Sequence, residues 1–186
     1  MKHFHFLLQQ GIRLRATVGG SVRDFLLQQL ALTPGDVEEK VQTIFLNGKA
    51  VDDLDQAFIT DGASLALSGA LPGLVGATMR RGGFYSSLRN PINYRVEKGD
   101  EPRREGTIAL KLFNILLKDL APRVLAQGFL IKSSTLRDFL KRNETELGDN
   151  CLIRYRDGSE WTCRLGLTRL PEDPDQFLSA TVVPRG

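Results

Sequence analysis

TIFLNGKAVDDLDQAFITDGASLALSGALPGLVGATMRRGG, residues 43–83, is the stretch on which the fold turns. Val41–Leu46, which runs into it, is rich in β-branched and large apolar side chains and is predicted to be a strand. Asn47-Gly48 follows, a two-residue hairpin signal whose geometry asks for positive φ at both positions. Lys49–Thr60 reads as a connection, Asp61-Gly62 as a second turn and Ser64–Ser68 as the next main strand. Beyond it lies an arm. The glycines and Pro72 argue against any regular element over Leu71–Met79.

Upstream, Phe4, Phe6 and Leu8 alternate with His3, His5 and Leu7, which predicts a strand. Gln9-Gln10-Gly11 turns the chain. Ile12, Leu14, Ala16 and Val18 then alternate with Arg13, Arg15 and Thr17, a half-buried strand expected to form an antiparallel hairpin with the first. Ser21 is placed to cap a helix, Ser21–Leu32, with Asp24 near its positive end and Val22, Phe25, Leu26 and Leu30 on one face. Thr33-Pro34-Gly35 is expected to stop it.

The order is therefore β-β-α-β-β, and about seventy residues suffice for one sheet packed by one helix. IFLNGKAVDD followed by TDGASLALSGALPG resembles the second half of a ubiquitin-like β-grasp domain. The nearest likeness is to the small sulfur carriers of the thiamine and molybdopterin pathways, in which an L-N-G-x-x-V stretch and a D-G-D-x-hydrophobic stretch recur and the chain ends in Gly-Gly. The resemblance covers residues 1–83. It implies a roll in which Phe4–Leu8 and Ser64–Ser68 are parallel neighbours in the middle of the sheet. It also implies a free C-terminal glycine activated as an acyl adenylate by an adenylating enzyme. Gly73 departs from the pattern, being a single glycine before Leu74. Gly82-Gly83 follows Arg80-Arg81 much as in ubiquitin, yet 103 residues come after it. Gly82 and Gly83 are thus either a processing site or an internal pair that lets a linker leave the domain.

The chain divides into residues 1–78, a basic linker over 79–104 and an α+β C-terminal domain over 105–186. Their net charges are −2, +4 and +1, so the small excess of +3 sits between the halves. Within 105–186, Gly106–Leu120 is read as an apolar helix, with a second short helix beginning at Pro122. Ser133 or Ser134 is expected to cap a helix over Thr135–Arg142. Cys151–Tyr155, Ser159–Leu167 and Phe177–Val183 are expected strands. In the hairpin a three-residue loop, Arg156-Asp157-Gly158, sorts the faces best: Ile153 opposite Trp161, Arg154 opposite Glu160 and Cys151 opposite Cys163.

With 41% hydrophobic and 25% charged residues, the composition is that of a globular α+β protein. The start lacks an apolar leader, and Gly62–Met79, although uncharged, is broken by four glycines, two serines and Pro72, so neither a signal peptide nor a membrane span is expected. A cytoplasmic location is the expectation.

Catalytic signals are sparse. His3 and His5 share a face on the predicted strand, but a metal site there would need Asp52, Asp53 or Asp55 to complete it, and those read as a solvated loop. Cys151 and Cys163 form no C-x-x-C pair. No nucleophile elbow or phosphate loop occurs. No enzyme, metal or cofactor is expected. The expectation is a non-catalytic protein-interaction or accessory module on a sulfur-carrier-like scaffold. Leu71, Leu74, Val75, Met79, Arg80 and Arg81 would contact the partner, an adenylating enzyme being the class the resemblance implies. Packing of the arm on the chain's own second domain is the favoured alternative to a partner. Two other readings stand beside it. One is a processed sulfur carrier activated at Gly83. The other is nucleic-acid binding by a winged-helix-like C-terminal domain using Arg137, Lys141, Arg142, Arg154 and Arg156, against which its near-neutral charge argues.

Overall fold

The computed structural model describes residues 2–95, 102–147, 151–155, 159–162 and 168–184. The chain opens with a 3₁₀ turn, Lys2–Phe4, and helix α1 (His5–Gln10). The strand predicted over Phe4–Leu8 is thus corrected to helix. Phe4, Leu7 and Leu8 stand at i, i+3 and i+4 and are buried, while Phe6 is exposed.

Strand β1 (Ile12–Val18) alternates buried and exposed as predicted. Ser21 then caps α2 (Val22–Asp24): the Asp24 N–H donates to Ser21 Oγ at 3.1 Å and the Ser21 N–H to Asp24 Oδ2 at 3.4 Å. The helix continues as wide π turns over Phe25–Gln29. Thr33 does more than end it. Its hydroxyl accepts from the Asp36 N–H at 3.1 Å and starts α3 (Pro34–Lys40), with Pro34 in the first turn. The Thr-Pro-x-Asp spelling carried that signal.

β2 (Thr43–Leu46) and β3 (Lys49–Ala50) flank the turn at Asn47 and Gly48, both with positive φ, at 50° and 76°. β4 (Ser64–Ser68) follows, then α4 (Gly73–Met79) and a 3₁₀ segment (Phe84–Ile92). A regular element does occupy the arm, contrary to the sequence expectation. Gly76 permits it, because a Cβ there would stand 2.0 Å from the Leu71 carbonyl oxygen.

The helix predicted over Gly106–Leu120 is also corrected. Arg104–Phe113 is strand β5, in which Ile108, Leu110 and Leu112 alternate into the core. Asn114, at φ 55°, turns the strand directly into α5 (Asn114–Gln127), and its amide donates to Ser68 Oγ at 2.9 Å. Pro122 lies inside α5 rather than opening a new helix. β6 (Phe129–Lys132), α6 (Ser133–Arg142), α7 (Glu144–Leu147), β7 (Cys151–Tyr155), β8 (Glu160–Thr162) and β9 (Phe177–Pro184) complete the order. Ser133 is not a cap; its hydroxyl donates to the Pro171 carbonyl at 2.8 Å.

The strands form one mixed sheet, ordered β3-β2-β4-β5-β1-β6-β9-β7-β8. The parallel neighbour of β4 is β5, with Ser64 opposite Ala109 and Leu67 opposite Leu112. It is not residues 4–8, and β1 pairs with β5 and β6 rather than with them. Residues 104–113, assigned from the sequence to the linker and C-terminal unit, lie between β4 and β1. β1 and β6 meet at a single pair, Arg13 opposite Leu130. Beyond it the Gln29 side chain stands in for a strand, accepting from the Thr17 N–H at 2.8 Å and donating to its carbonyl at 3.0 Å. In the C-terminal hairpin Ile153 faces Trp161 and Arg154 faces Glu160, the predicted register. Arg156-Asp157-Gly158 and the Cys151–Cys163 pairing lie outside the described residues.

Buried apolar side chains from both halves of the chain belong to one cluster, with Val22, Phe25 and Leu26 from the first helix and Leu116, Leu120 and Val124 from α5 against the strands.

Candidate functional site

The arm from Leu71 to Ile92 is the place where the structure departs most from what burial alone would produce. α4 and the 3₁₀ segment pack on one another. Two arginines tie them to the body. Arg81 donates to the Val37 carbonyl at 3.2 Å and to Glu38 Oε2 at 3.0 Å, and its backbone N–H donates to the Gln42 carbonyl at 2.7 Å. Arg89, only 3% exposed, donates to the Thr78 carbonyl at 2.7 Å, Asp52 Oδ1 at 2.6 Å and Asn93 Oδ1 at 2.5 Å. A planar guanidinium with several fixed donors suits this bridging. Asp52 Oδ1 also accepts from the Gly82 N–H at 2.8 Å, and Arg80 Nε donates to Gln42 Oε1 at 2.8 Å.

The electrostatics support the anchor. The Arg81 guanidinium holds Glu38 below the usual carboxylate range, with Arg23 adding to it. Arg23 is raised in turn, chiefly by its hydrogen bond to Asp55 at 2.8 Å. Carboxylates and guanidiniums thus alternate from Asp55 through Arg23 and Glu38 to Arg81.

Held this way, the arm exposes apolar side chains. Leu74 is 70% exposed, Val75 69%, Phe84 91% and Leu88 68%, with Tyr85 and Ile92 beside them. The residues expected to form a contact surface therefore divide. Leu74 and Val75 face solvent; Leu71 and Met79 are half-buried; Arg80 and Arg81 anchor. The arm is fastened through Arg81 and Arg89 to Val37, Glu38, Gln42 and Asp52, and among the described residues nothing covers Leu74 or Val75. Gly82 and Gly83 lie in the turn before the 3₁₀ segment, the Gly83 N–H donating to the Arg80 carbonyl at 3.1 Å. Sequence reasoning missed Phe84 and Leu88, whose i, i+4 spacing was available, and Arg89 and Asp52, whose pairing across 37 residues had no local signal.

Elsewhere, the described candidate groups are engaged in local pairings. His3 is paired through Nδ1 with Glu146 Oε2 at 2.7 Å. Asp52 and Asp55 serve the ion pairs above, and Asp53 accepts from the Asp55 N–H at 2.9 Å. Among the described residues no three His, Cys, Asp or Glu side chains stand close enough to hold a metal ion. Arg137 donates to the Pro171 carbonyl at 2.7 Å, and strand β6 separates α5 from α6 where a winged helix was expected to turn. No helix among the described residues is long and apolar enough to cross a membrane. What the arm offers chemically is a pre-ordered apolar surface backed by fixed charges. Compared with protein-family models, curated proteins and solved structures, the chain matches none.

Proposed function

We propose that this chain is a protein-interaction module on a ubiquitin-like roll and that it meets its partner through the arm of α4 and the 3₁₀ segment. The sheet order supports the scaffold reading. β4 and β5 form a parallel pair with antiparallel neighbours, β2 and β1, on either side. In a ubiquitin-like roll that central pair is the first and last strand. Here β5, from later in the chain, stands where this reading expects the first strand, and residues 5–10 are helix.

The observation that carries the docking reading is the exposure of Leu74, Val75, Phe84 and Leu88 on an arm fastened by Arg81 and Arg89. Exposed apolar groups on fixed backbone mark interaction surfaces. An ordered surface also loses less entropy on binding than a free linker.

The test is a photo-crosslinking side chain at position 88 in the full chain, in an extract of the source cell. We expect a discrete protein adduct, lost when Leu74 and Phe84 are both changed to serine while the thermal midpoint is unchanged. No protein adduct, or one that survives the double change, overturns the reading. An adenylating enzyme in the adduct would ally the module with the sulfur carriers.

A further inference from the structure

A second surface, remote in chemistry from the arm, lies on the face of the sheet that the helices leave open. On β1 the inward side chains Ile12, Leu14, Ala16 and Val18 are buried, while Arg13, Arg15 and Thr17 are exposed. On β6, Phe129 and Ile131 are buried while Leu130 and Lys132 are not; on β9, Ala180 and Val182 are buried while Phe177 points out. The open sides of these three adjacent strands floor a groove of about 500 Å³, lined by Arg15, Leu130, Trp161, Arg169, Phe177 and Ser179. Arg15 also lines the neighbouring hollow, shared with Thr17, Thr107 and the carboxylates Asp61 and Glu105.

The groove pairs cations with rings. The Arg169 guanidinium stands 4.7 Å from the centre of the Trp161 ring, and that of Arg13 stands 4.8 Å from Phe177. The Lys132 ammonium lies 5.9 Å from Phe177 and is matched by Asp175 at 2.7 Å. Among the described residues no carboxylate lies within ion-pair distance of Arg13, Arg15 or Arg169. Trp161 donates its indole N–H to Ser159 Oγ at 3.1 Å, which sets the orientation of the ring. Phe177 is 42% exposed, so ring surface remains for a further stacking partner.

We propose that this groove binds single-stranded nucleic acid, with bases stacking on Phe177 and Trp161, both of which line it, and phosphates meeting Arg13, Arg15 and Arg169. Arginines without a carboxylate partner among the described residues supply counter-charge for a polyanion, and rings lining a groove take the π faces of unstacked bases. A duplex keeps those faces inside its stack, and an acidic peptide has none. Arg13 and Arg15 are successive outward positions on one strand, about 7 Å apart. That separation suits neighbouring phosphates of an extended strand better than one phosphate. The proposal is independent of the arm.

Trp161 is the sole tryptophan, so its emission reports on the groove directly. Titration with an oligothymidylate of about ten nucleotides should quench it saturably, with log affinity falling against log salt at a slope of about −2 for three phosphate contacts. Arg15→Ala should weaken binding about tenfold and flatten the slope by about 0.7. Phe177→Ala should weaken it by a similar factor. Arg15 is exposed, so its variant should keep the wild-type thermal midpoint; Phe177→Ala also loses the contacts with Arg13 and Lys132, so its midpoint should fall slightly while the fold persists. The Leu74 and Phe84 serine variant should bind the oligonucleotide as wild type does. Absence of quenching at low salt overturns the proposal, as does indifference to Arg15→Ala. So does equal affinity for a duplex, for thymidine monophosphate or for polyglutamate.

Discussion

Arg89 shows how much one side chain organises. Its guanidinium gathers Asp52, Asn93 and the Thr78 carbonyl, groups that nothing in the local sequence associates. Removing it takes the charged partner from Asp52, leaving it the Gly82 N–H, and a donor from the Thr78 carbonyl. Arg89→Ala should cost about 3 kcal/mol, the low end of the range for a broken buried pair because Asp52 is partly solvated. Arg89→Lys should restore little, since an ammonium cannot serve the same fork of acceptors. Hydrogen exchange is the check: amides of Thr78–Arg81 should lose protection in both variants while those of β1 keep theirs. Gly76 makes a complementary case. A methyl group there collides with the Leu71 carbonyl, so Gly76→Ala should displace α4 and cost about 1–3 kcal/mol, read from the urea midpoint. From the sequence alone the glycine predicts a break in regular structure. Its real role is a close approach that exists only once the arm has folded back.

Among the elements, α3 was spelled out and overlooked. Thr33 and Asp36 cap it reciprocally, and Lys40 lies within 2.8 Å of Asp36 Oδ1. Lys40 first, then the Thr33 hydroxyl and N–H, lower the Asp36 carboxyl to about 2. A carboxyl depressed in the folded state stabilises fully above its ordinary value and loses that contribution as pH falls through its folded value. Urea midpoints from about pH 6 down to about pH 2 should therefore fall less steeply for Asp36→Asn than for wild type, from a lower start at neutral pH. Equal slopes would refute the linkage. β5 and α1 teach the converse. REGTIALKLF supports a helical face and a two-residue alternation alike, and the strand prevailed because a slot between β1 and β4 was there to be filled. HFHFLL alternates in period two, but Phe4, Leu7 and Leu8 obey the helical spacing, which leaves Phe6 in solvent.

At the scale of the whole molecule, the five strands from β3 to β1 and the four from β6 to β8 are joined in the sheet by one paired position, Arg13 with Leu130. What unites them is α5, which packs on β4 and β5 and also on β9. Its buried face includes Leu116, Leu120 and Val124. Leu120→Ala should cost about 2–5 kcal/mol. It should lower amide protection in both β1 and β9, because one helix closes both parts. Loss confined to one set of strands would mean that the two parts unfold separately.

Ile12–Val18, Ser21 with Asp24, Asn47-Gly48, Asp61-Gly62, Ser64–Ser68 and the hairpin register of Ile153 with Trp161 were all legible in the chain. Each is governed by contacts within a few residues: alternation on a strand, a cap, a turn that needs positive φ, a cross-strand pair. Which strand lies beside which was not legible. The pairing of β4 with β5 spans about forty residues, and loop-closure entropy gives no local preference for one distant partner over another. The anchored arm belongs to the same class, for Arg81 and Arg89 find their acceptors only after α3, β2 and the Asp52 loop have come together. Apolar residues near glycine could be recognised from the sequence; that Leu74, Val75, Phe84 and Leu88 end up facing water was decided by tertiary hydrogen bonds from two arginines.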